Sequence, residues 1–323
     1  MCRPFPTIQG RYIVKKVDVI IPTYKPDGKF LKLIEMLRKQ TVPVHQIIIM
    51  NTEQKYFDRL VYGSTFPDQG NNIVVKHLSK REFDHGRTRN RGVHYSDAEV
   101  FVMMTDDAVP ADEHLIEKLL EGLSGDNVAA AYARQLACEG DSESEKFTRN
   151  FNYPDTPCVK TAEDIEKLGI KTYFCSDVCA AYKRGIFDEL GGFIKRTIFN
   201  EDMIYAASAV KAGYGIAYVP EAKVYHSHHY GNREQFKRNF DLGVSQIDHP
   251  EVFADVPSES EGIRLVKKTV EHLRKEKKTG QIPGVIIQSG FKYLGYQAGK
   301  HYRALPKGLI MRFTSNKEYW MKQ

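Results

Sequence analysis

The sequence predicts an α/β chain built around a largely parallel sheet, followed by a smaller helical segment. Three observations carry this reading. Apolar, β-branched runs alternate with helical patterns through the first half of the chain. Short polar stretches punctuate them, and the chain after about residue 260 shows helical patterns only. Hydrophobic residues make up 41% of the chain and aromatics 11%, enough for a packed core.

"VDVIIPTY" (17–24) is a buried strand that leaves the sheet near Pro22. "GKFLKLIEMLRKQ" (28–40) places Phe30, Leu31, Ile34 and Leu37 at helical spacing. A strand "HQIIIMN" (45–51), a short helix near 55–61 and a strand "NIVVKHL" (72–78) follow. "DHGRTRNRGVHY" starts a helix that leads into "AEVFVMMTDD" (98–107). Strand and helix alternating at this spacing imply right-handed crossovers and a parallel sheet covered on both faces. Ligands of such sheets sit beyond the carboxyl ends of the strands, which here are 22–27, 51–54, 79–87 and 105–110.

Beyond about residue 130 the rhythm loosens. "EGDSESEKFTRNFNYPDTP" (139–157) reads as a polar loop with a short helix, and "TYFCSDVCAAYKR" (172–184) as a strand running into a turn. The stretch 200–231 reads as helix, glycine turn, strand, proline-containing turn and strand. "DVPSESEG" (255–262) marks a boundary, dividing the chain into 1–255 and a helical extension, 256–323. The five cysteines form no CxxC pair, which excludes a disulfide framework and a zinc ribbon. No apolar run is long enough to span a bilayer, and "MCRPFPTIQGRYIVKKVDVII" lacks a signal-peptide pattern, so a cytoplasmic protein is expected.

Charge is unevenly placed. Residues 261–323 carry 14 Lys and Arg against 4 acids, a balance of +10, while the first 260 carry −4. The basic character therefore belongs to the tail. It suits anionic lipid, nucleic acid or an acidic partner.

Four clusters offer chemistry. Asp106 and Asp107, together at the end of a strand, repel unless a cation or hydrogen-bond donors compensate. Mg²⁺ or Mn²⁺ with a nucleoside diphosphate is one solution, and a turn ahead of "ADEHLIEKLLEGL" is the other. "NED" (200–202) is either a favourable first helical turn or the source of a general base. In "VYHSHHYG" (224–231), His226 and His228 share a strand face and His229 faces away. With no cysteine or aspartate at ligand spacing, the histidines do not make a closed zinc site, and one of them joins Asp107 as a ligand instead. "FDHGRTRNRG" (83–92), with His85, Gly86 and Arg89, suits phosphate or sugar contacts at a helix start, or a solvated basic turn.

With these motifs in order along residues 17–240, the chain resembles the family 2 glycosyltransferases of the GT-A fold, and within them the rhamnosyltransferases. "VIIPTYKP" resembles the opening strand and nucleotide-binding turn, "FDHGRTRN" the FDHGxTRN segment, and "TDDAVP" the DxD-type metal motif. "FCSDVCAAYKR" with "GGF" resembles the acceptor side, "NED" the ED motif, and "YVPEAKVYHSHHY" the closing HxH strand.

The resemblance implies a Rossmann-like mixed sheet flanked by helices, with the tail as a C-terminal helical extension. It implies that Asp107 ligates Mg²⁺ or Mn²⁺, with His226 or His228 near the metal or diphosphate. Asp106 is then near ribose or metal, Asp202 is the catalytic base, and Glu201 supports it. Pro22, Thr23, Tyr24, Asn51 and Glu53 line the nucleoside, with His85, Gly86 and Arg89 nearby. Two departures stand out. The second strand ends in "MNTEQ", with Asn51 and Glu53 where many members have an aspartate, and Lys211 is the nearest cation after the ED motif.

The expected reaction is inverting transfer of L-rhamnose from dTDP-β-L-rhamnose to a glycan or lipid-linked acceptor in bacterial cell-surface polysaccharide synthesis. A UDP-sugar donor (glucose, galactose or N-acetylglucosamine) and a non-catalytic sugar-nucleotide-binding protein are the alternatives. The tail suits peripheral membrane contact, a solvated helical cap or a homo-oligomer contact. No nucleic-acid-binding module accompanies its charge.

Overall fold

In the computed structural model, which describes residues 16–62, 66, 72–228, 230–254, 256 and 259–321, the apolar runs join one sheet. Nine strands compose it among the described residues. They are β1 (Val17–Tyr24), β2 (Gln46–Thr52), β3 (Ile73–Leu78), β4 (Val100–Met104), β5 (Val109–Pro110), β6 (Val128–Leu136), β7 (Cys158–Lys160), β8 (Cys179–Lys183) and β9 (Gly215–Tyr225). The order is β3-β2-β1-β4-β8-β6-β9-β5, with β7 paired to β9.

The first four strands pair in parallel, as their helix-separated apolar runs predict. β8 then runs antiparallel to β4 and β6, while β6 and β9 are parallel, which makes the sheet mixed. β1 and β4 are almost wholly buried, as expected for strands covered on both faces.

Three sequence expectations change. β8 is confined to Cys179–Lys183. A 3-10 helix, Gly169–Tyr173, precedes it and a helix, Arg184–Glu189, follows it. Between the 3-10 helix and β8 lies Asp177, which enters a buried ion pair described below. β9 is also one strand through Pro220, not two strands around a turn. Its pairing with β6 skips there from Val219 to Lys223, because proline has no N–H to give the ladder. Finally, a strand, β6, forms where the sequence pattern predicts none: "VAAAYARQL" is rich in alanine, which carries little strand signal.

Contacts divide the chain into two compact units. The first takes the described residues up to Leu136, with Tyr153–Arg196 and Glu201–His226. It holds the sheet and the main hydrophobic core.

The second takes Ala137–Asn152, Thr197–Asn200 and the described residues from Ser227 onward. Within it the helices Asn232–Asp248 and Ile282–Lys300 cross closely, since a side chain at Gly295 would meet the Phe236 carbonyl oxygen at 2.2 Å. Ile198, Phe240, Val244 and Trp320 form its core. The buried Asp241 carboxylate accepts from Thr314 Oγ1 at 2.7 Å and the Ser315 amide at 2.9 Å.

Candidate active site

The carboxyl ends of the parallel strands collect the first group of expected residues. Register places Thr23 opposite Asn51 and Asn51 opposite His77. One Asp106 oxygen accepts from Thr23 Oγ1 at 2.5 Å and from the Tyr24 amide at 3.2 Å, tying the loop after β4 to the end of β1 beside Pro22. Burial pushes the Asp106 carboxyl up to about 6. The Thr23 and Tyr24 hydrogen bonds oppose that rise, and Asp107 and Asp27 add to it.

Asn51 gives its amide nitrogen to His77 Nδ1 at 2.9 Å, while its buried Oδ1 has no hydrogen-bond partner. A buried acceptor left this way at a sheet edge suits a ligand donor. Glu53 turns in the left-handed region at φ 66° and accepts the Lys80 amide at 2.9 Å. Tyr24 is partly exposed and meets Tyr56 edge-on at 5.6 Å. The ammonium groups of Lys25 and Lys80 lie 5.3 and 5.0 Å from its ring.

A second group forms where β9 ends. His226 Nε2 stands 3.4 Å from Asp107 Oδ1. Its Nδ1 stands 3.0 Å from Gln135 Oε1, which as an acceptor takes the ring proton on that side. Nε2 is then the ring nitrogen that faces the Asp107 carboxylate, and an imidazole nitrogen and a carboxylate oxygen so placed suit a cation between them. Neighbouring ligands of an octahedral Mg²⁺, with bonds of about 2.1 Å, stand about 3 Å apart, so carboxylate and imidazole here fit such an ion. His228 belongs to the second unit, where it stacks on Tyr230 at 4.8 Å, and His229 lies outside the described residues.

The third group is acidic and almost closed to water. Arg89, from the helix His85–His94, places Nε 2.8 Å from Asp177 and Nη1 2.9 Å from Glu201. His85 Nδ1 lies 3.6 Å from the same Glu201 oxygen. Asp202 accepts the Asp177 amide at 3.1 Å and the Met203 amide at 2.8 Å, and Tyr182 donates its hydroxyl to Asp177.

These partners split the acids. Burial alone would raise Glu201, but the Arg89 guanidinium and then His85 hold it well below the usual carboxylate range. Burial, Glu201 and Asp177 instead push Asp202 well above it. Burial raises Asp177 to about 6 against the pull of Arg89.

Local sequence explains the support beneath this group. Asp84 caps the helix by accepting the Gly86 and Arg87 amides, each at 3.1 Å. Gly86 is required by close approach, because a Cβ there would meet the Ile194 carbonyl oxygen at 1.8 Å. Asn90 exchanges two hydrogen bonds with the Phe193 backbone, at 2.7 and 3.0 Å. Thus "FDHGRTRN" fastens "GGF" beneath the acids, and the guanidinium of Arg89 goes to two carboxylates of its own chain.

The structure brings Thr23, Tyr24 and Asp106 together, Asp107 with His226, and His85 and Arg89 with Glu201. Gln135 and Asp177 had no role in the sequence reading. Gln135 also donates to Ser176 Oγ at 3.0 Å and to the Tyr153 hydroxyl, so it ties His226 to the residue before Asp177. A lone polar residue near the end of an apolar run was the available signal for Gln135. An aspartate between two buried cysteines was the signal for Asp177.

The sequence model of Glycosyl transferase family 2 matches residues 18–191. Over 309 residues the chain is 38% identical to the O-antigen chain rhamnosyltransferase RfbN of Salmonella typhimurium, spanning 94% of this chain and 96% of that protein. It is 37% identical over 305 residues to the O-antigen chain rhamnosyltransferase WbaN of Salmonella anatum, spanning 94% and 95%. Among solved structures, the mannosyltransferase PcManGT from Pyrobaculum calidifontis, in complex with GDP-Man and Mn²⁺, shares the fold with a TM-score of 0.54 at 14% identity. That likeness spans 99% of this chain and 88% of the other. The mixed sheet with flanking helices is the GT-A arrangement expected from the sequence.

Proposed function

The chain belongs to glycosyl transferase family 2 and is a glycosyltransferase, and from that premise we propose an inverting, divalent-metal-dependent rhamnosyl transfer. The donor in this reading is dTDP-β-L-rhamnose, and the acceptor is a glycan or lipid-linked saccharide of cell-surface polysaccharide synthesis. Two curated rhamnosyltransferases that align over nearly their whole length support the sugar.

One observation carries the chemistry. A continuous set of hydrogen bonds joins a metal-suited pair to a basic carboxylate: His226 to Gln135 at 3.0 Å, Gln135 to Ser176 at 3.0 Å, and the adjoining Asp177 amide to Asp202 at 3.1 Å. Inverting transfer needs this pairing of parts. The base takes the acceptor's proton on one side of the anomeric carbon while the diphosphate departs on the other.

Asp107 and His226 would hold the divalent ion, which when bound neutralises charge on the leaving diphosphate. Asp106, fixed by Thr23 and the Tyr24 amide, lies where a ribose hydroxyl would be read. Asn51 Oδ1, Glu53 and the Tyr24 ring supply the nucleoside edge. Asp202 takes the proton, and its raised affinity for a proton makes it a stronger base than an exposed aspartate. Glu201, kept ionised by Arg89, holds that affinity up. Arg89 and His85 act through these acids, and Gly86 through the close packing of its helix start.

A panel of nucleotide sugars with Mg²⁺ or Mn²⁺, measured by released nucleoside diphosphate, tests the reading. Turnover of dTDP-rhamnose that stops with chelator supports it. A response to UDP-sugars alone rejects the donor, and metal-independent turnover rejects the role of Asp107 and His226.

A further inference from the structure

The helix Ile282–Lys300 is amphipathic in the reverse of the usual sense. Its buried residues, Gly295, Tyr296 and Gly299, lie toward one end, against the helix Asn232–Asp248. Toward the other end the apolar side chains face outward. Ile286 is 56% exposed and Leu294 60%, and Ile287, Phe291 and Tyr293 are exposed with them.

Positions 283, 287, 290, 291 and 294 recur at three- and four-residue steps, so they form one stripe on the helix surface. The polar residues between them are the less exposed ones: Ser289 bonds back to the Val285 carbonyl at 2.7 Å, and burial lowers the Lys292 ammonium. A contiguous exposed apolar stripe on a charged protein marks a binding surface.

The charge beside the stripe selects its partner. "RKEKK" (274–278) precedes this helix by one 3-10 turn, Thr279–Gln281, and Arg274, Lys275, Lys277 and Lys278 are all exposed. We propose that this apolar stripe and the basic stretch before it dock the protein on the surface of an anionic lipid bilayer. The stripe from Ile287 to Leu294 is about 10 Å long, suited to lying in the headgroup layer. No helix among the described residues is long and apolar enough to cross a membrane. A symmetric contact between two copies is disfavoured, because it would pair two segments that each carry a balance of +10 over residues 261–323 and offer each other few acids. The proposal does not depend on which donor sugar the enzyme uses.

Co-sedimentation of the full chain with vesicles tests it. Vesicles of phosphatidylcholine with phosphatidylglycerol should bind the protein, phosphatidylcholine alone should bind it poorly, and added salt should weaken the binding. The exposed double substitution Ile287→Ser/Leu294→Ser, and separately Lys277→Glu/Lys278→Glu, should each lower the partition coefficient about tenfold or more. Both should leave the circular dichroism spectrum unchanged. Wild-type protein that ignores anionic vesicles overturns the proposal, as does an apolar double variant that binds them equally well. A wild-type dimer that the Ile287→Ser/Leu294→Ser variant dissolves, without any vesicle binding, assigns the stripe to a second copy and overturns it too.

Discussion

The two carboxylate groups of the sheet unit solve the same electrostatic problem differently. Asp106 is held by a hydroxyl and a backbone amide, and Asp107 faces an imidazole. Asp177 and Glu201 instead share a guanidinium that the chain itself supplies, and Asp202 beside them accepts two backbone amides. Internal neutralisation keeps one acid strongly ionised and raises its neighbour's affinity for a proton, so that the neighbour, once ionised, is a stronger base than an exposed carboxylate. Gathering a carboxylate oxygen and an imidazole nitrogen without a guanidinium suits a metal and an anionic donor. In the proposed mechanism the difference separates proton chemistry from leaving-group chemistry within one unit.

The strongest way to break that separation is Asp202→Asn. Turnover should fall about 10²–10⁴-fold with donor binding retained, as read by released nucleoside diphosphate and by calorimetry. Weakened donor binding of the same size would place Asp202 on the wrong side of the comparison. The substitution should also raise the melting temperature above neutral pH. The folded pKa of Asp202 lies above its unfolded value, so wild-type stability from this group is present at low pH and is lost as pH rises through the folded value. A melting series from pH 5 to pH 8 reads the growing gap.

Arg89→Met attacks the shared cation. It leaves two buried acids without their guanidinium and should cost about 3–5 kcal/mol of stability in denaturant titration. A loss confined to donor affinity, with stability intact, would mean that Arg89 serves the donor directly.

Gln135→Leu removes the acceptor that sets the His226 tautomer. Metal affinity should fall about 10–100-fold, with a rise in the Mn²⁺ concentration needed for half-maximal rate. An unchanged metal titration would detach Gln135 from that group.

Asp177→Asn is the finest probe. Removing a negative neighbour lowers the Asp202 pKa, so the acid limb of the kcat/KM profile should move to lower pH. A shift toward higher pH would contradict the arrangement.

Much of this was legible in the sequence where the signal is local. β1 to β4 are β-branched apolar runs, and Asp106, Asp107 and Asp202 sit where those runs and a helix begin or end. The pairing of Arg89 with Glu201 was not legible, because residues far apart in the chain meet only once the helix His85–His94 is seated against Ile194. Gln135 was hidden for another reason. Its strand is alanine-rich and owes its strand state to β8 and β9 on either side, not to its own propensity. Pro220 misled the reading of β9 because a proline inside a strand is tolerated only where the ladder already breaks.

The central claim is that Asp202 deprotonates an acceptor opposite a departing diphosphate, so that configuration inverts. NMR of the transferred sugar, through the one-bond C1–H1 coupling of the product made from dTDP-β-L-rhamnose, reads it most directly. An α-linked rhamnose is the predicted result, and a β-linked rhamnose would contradict the account.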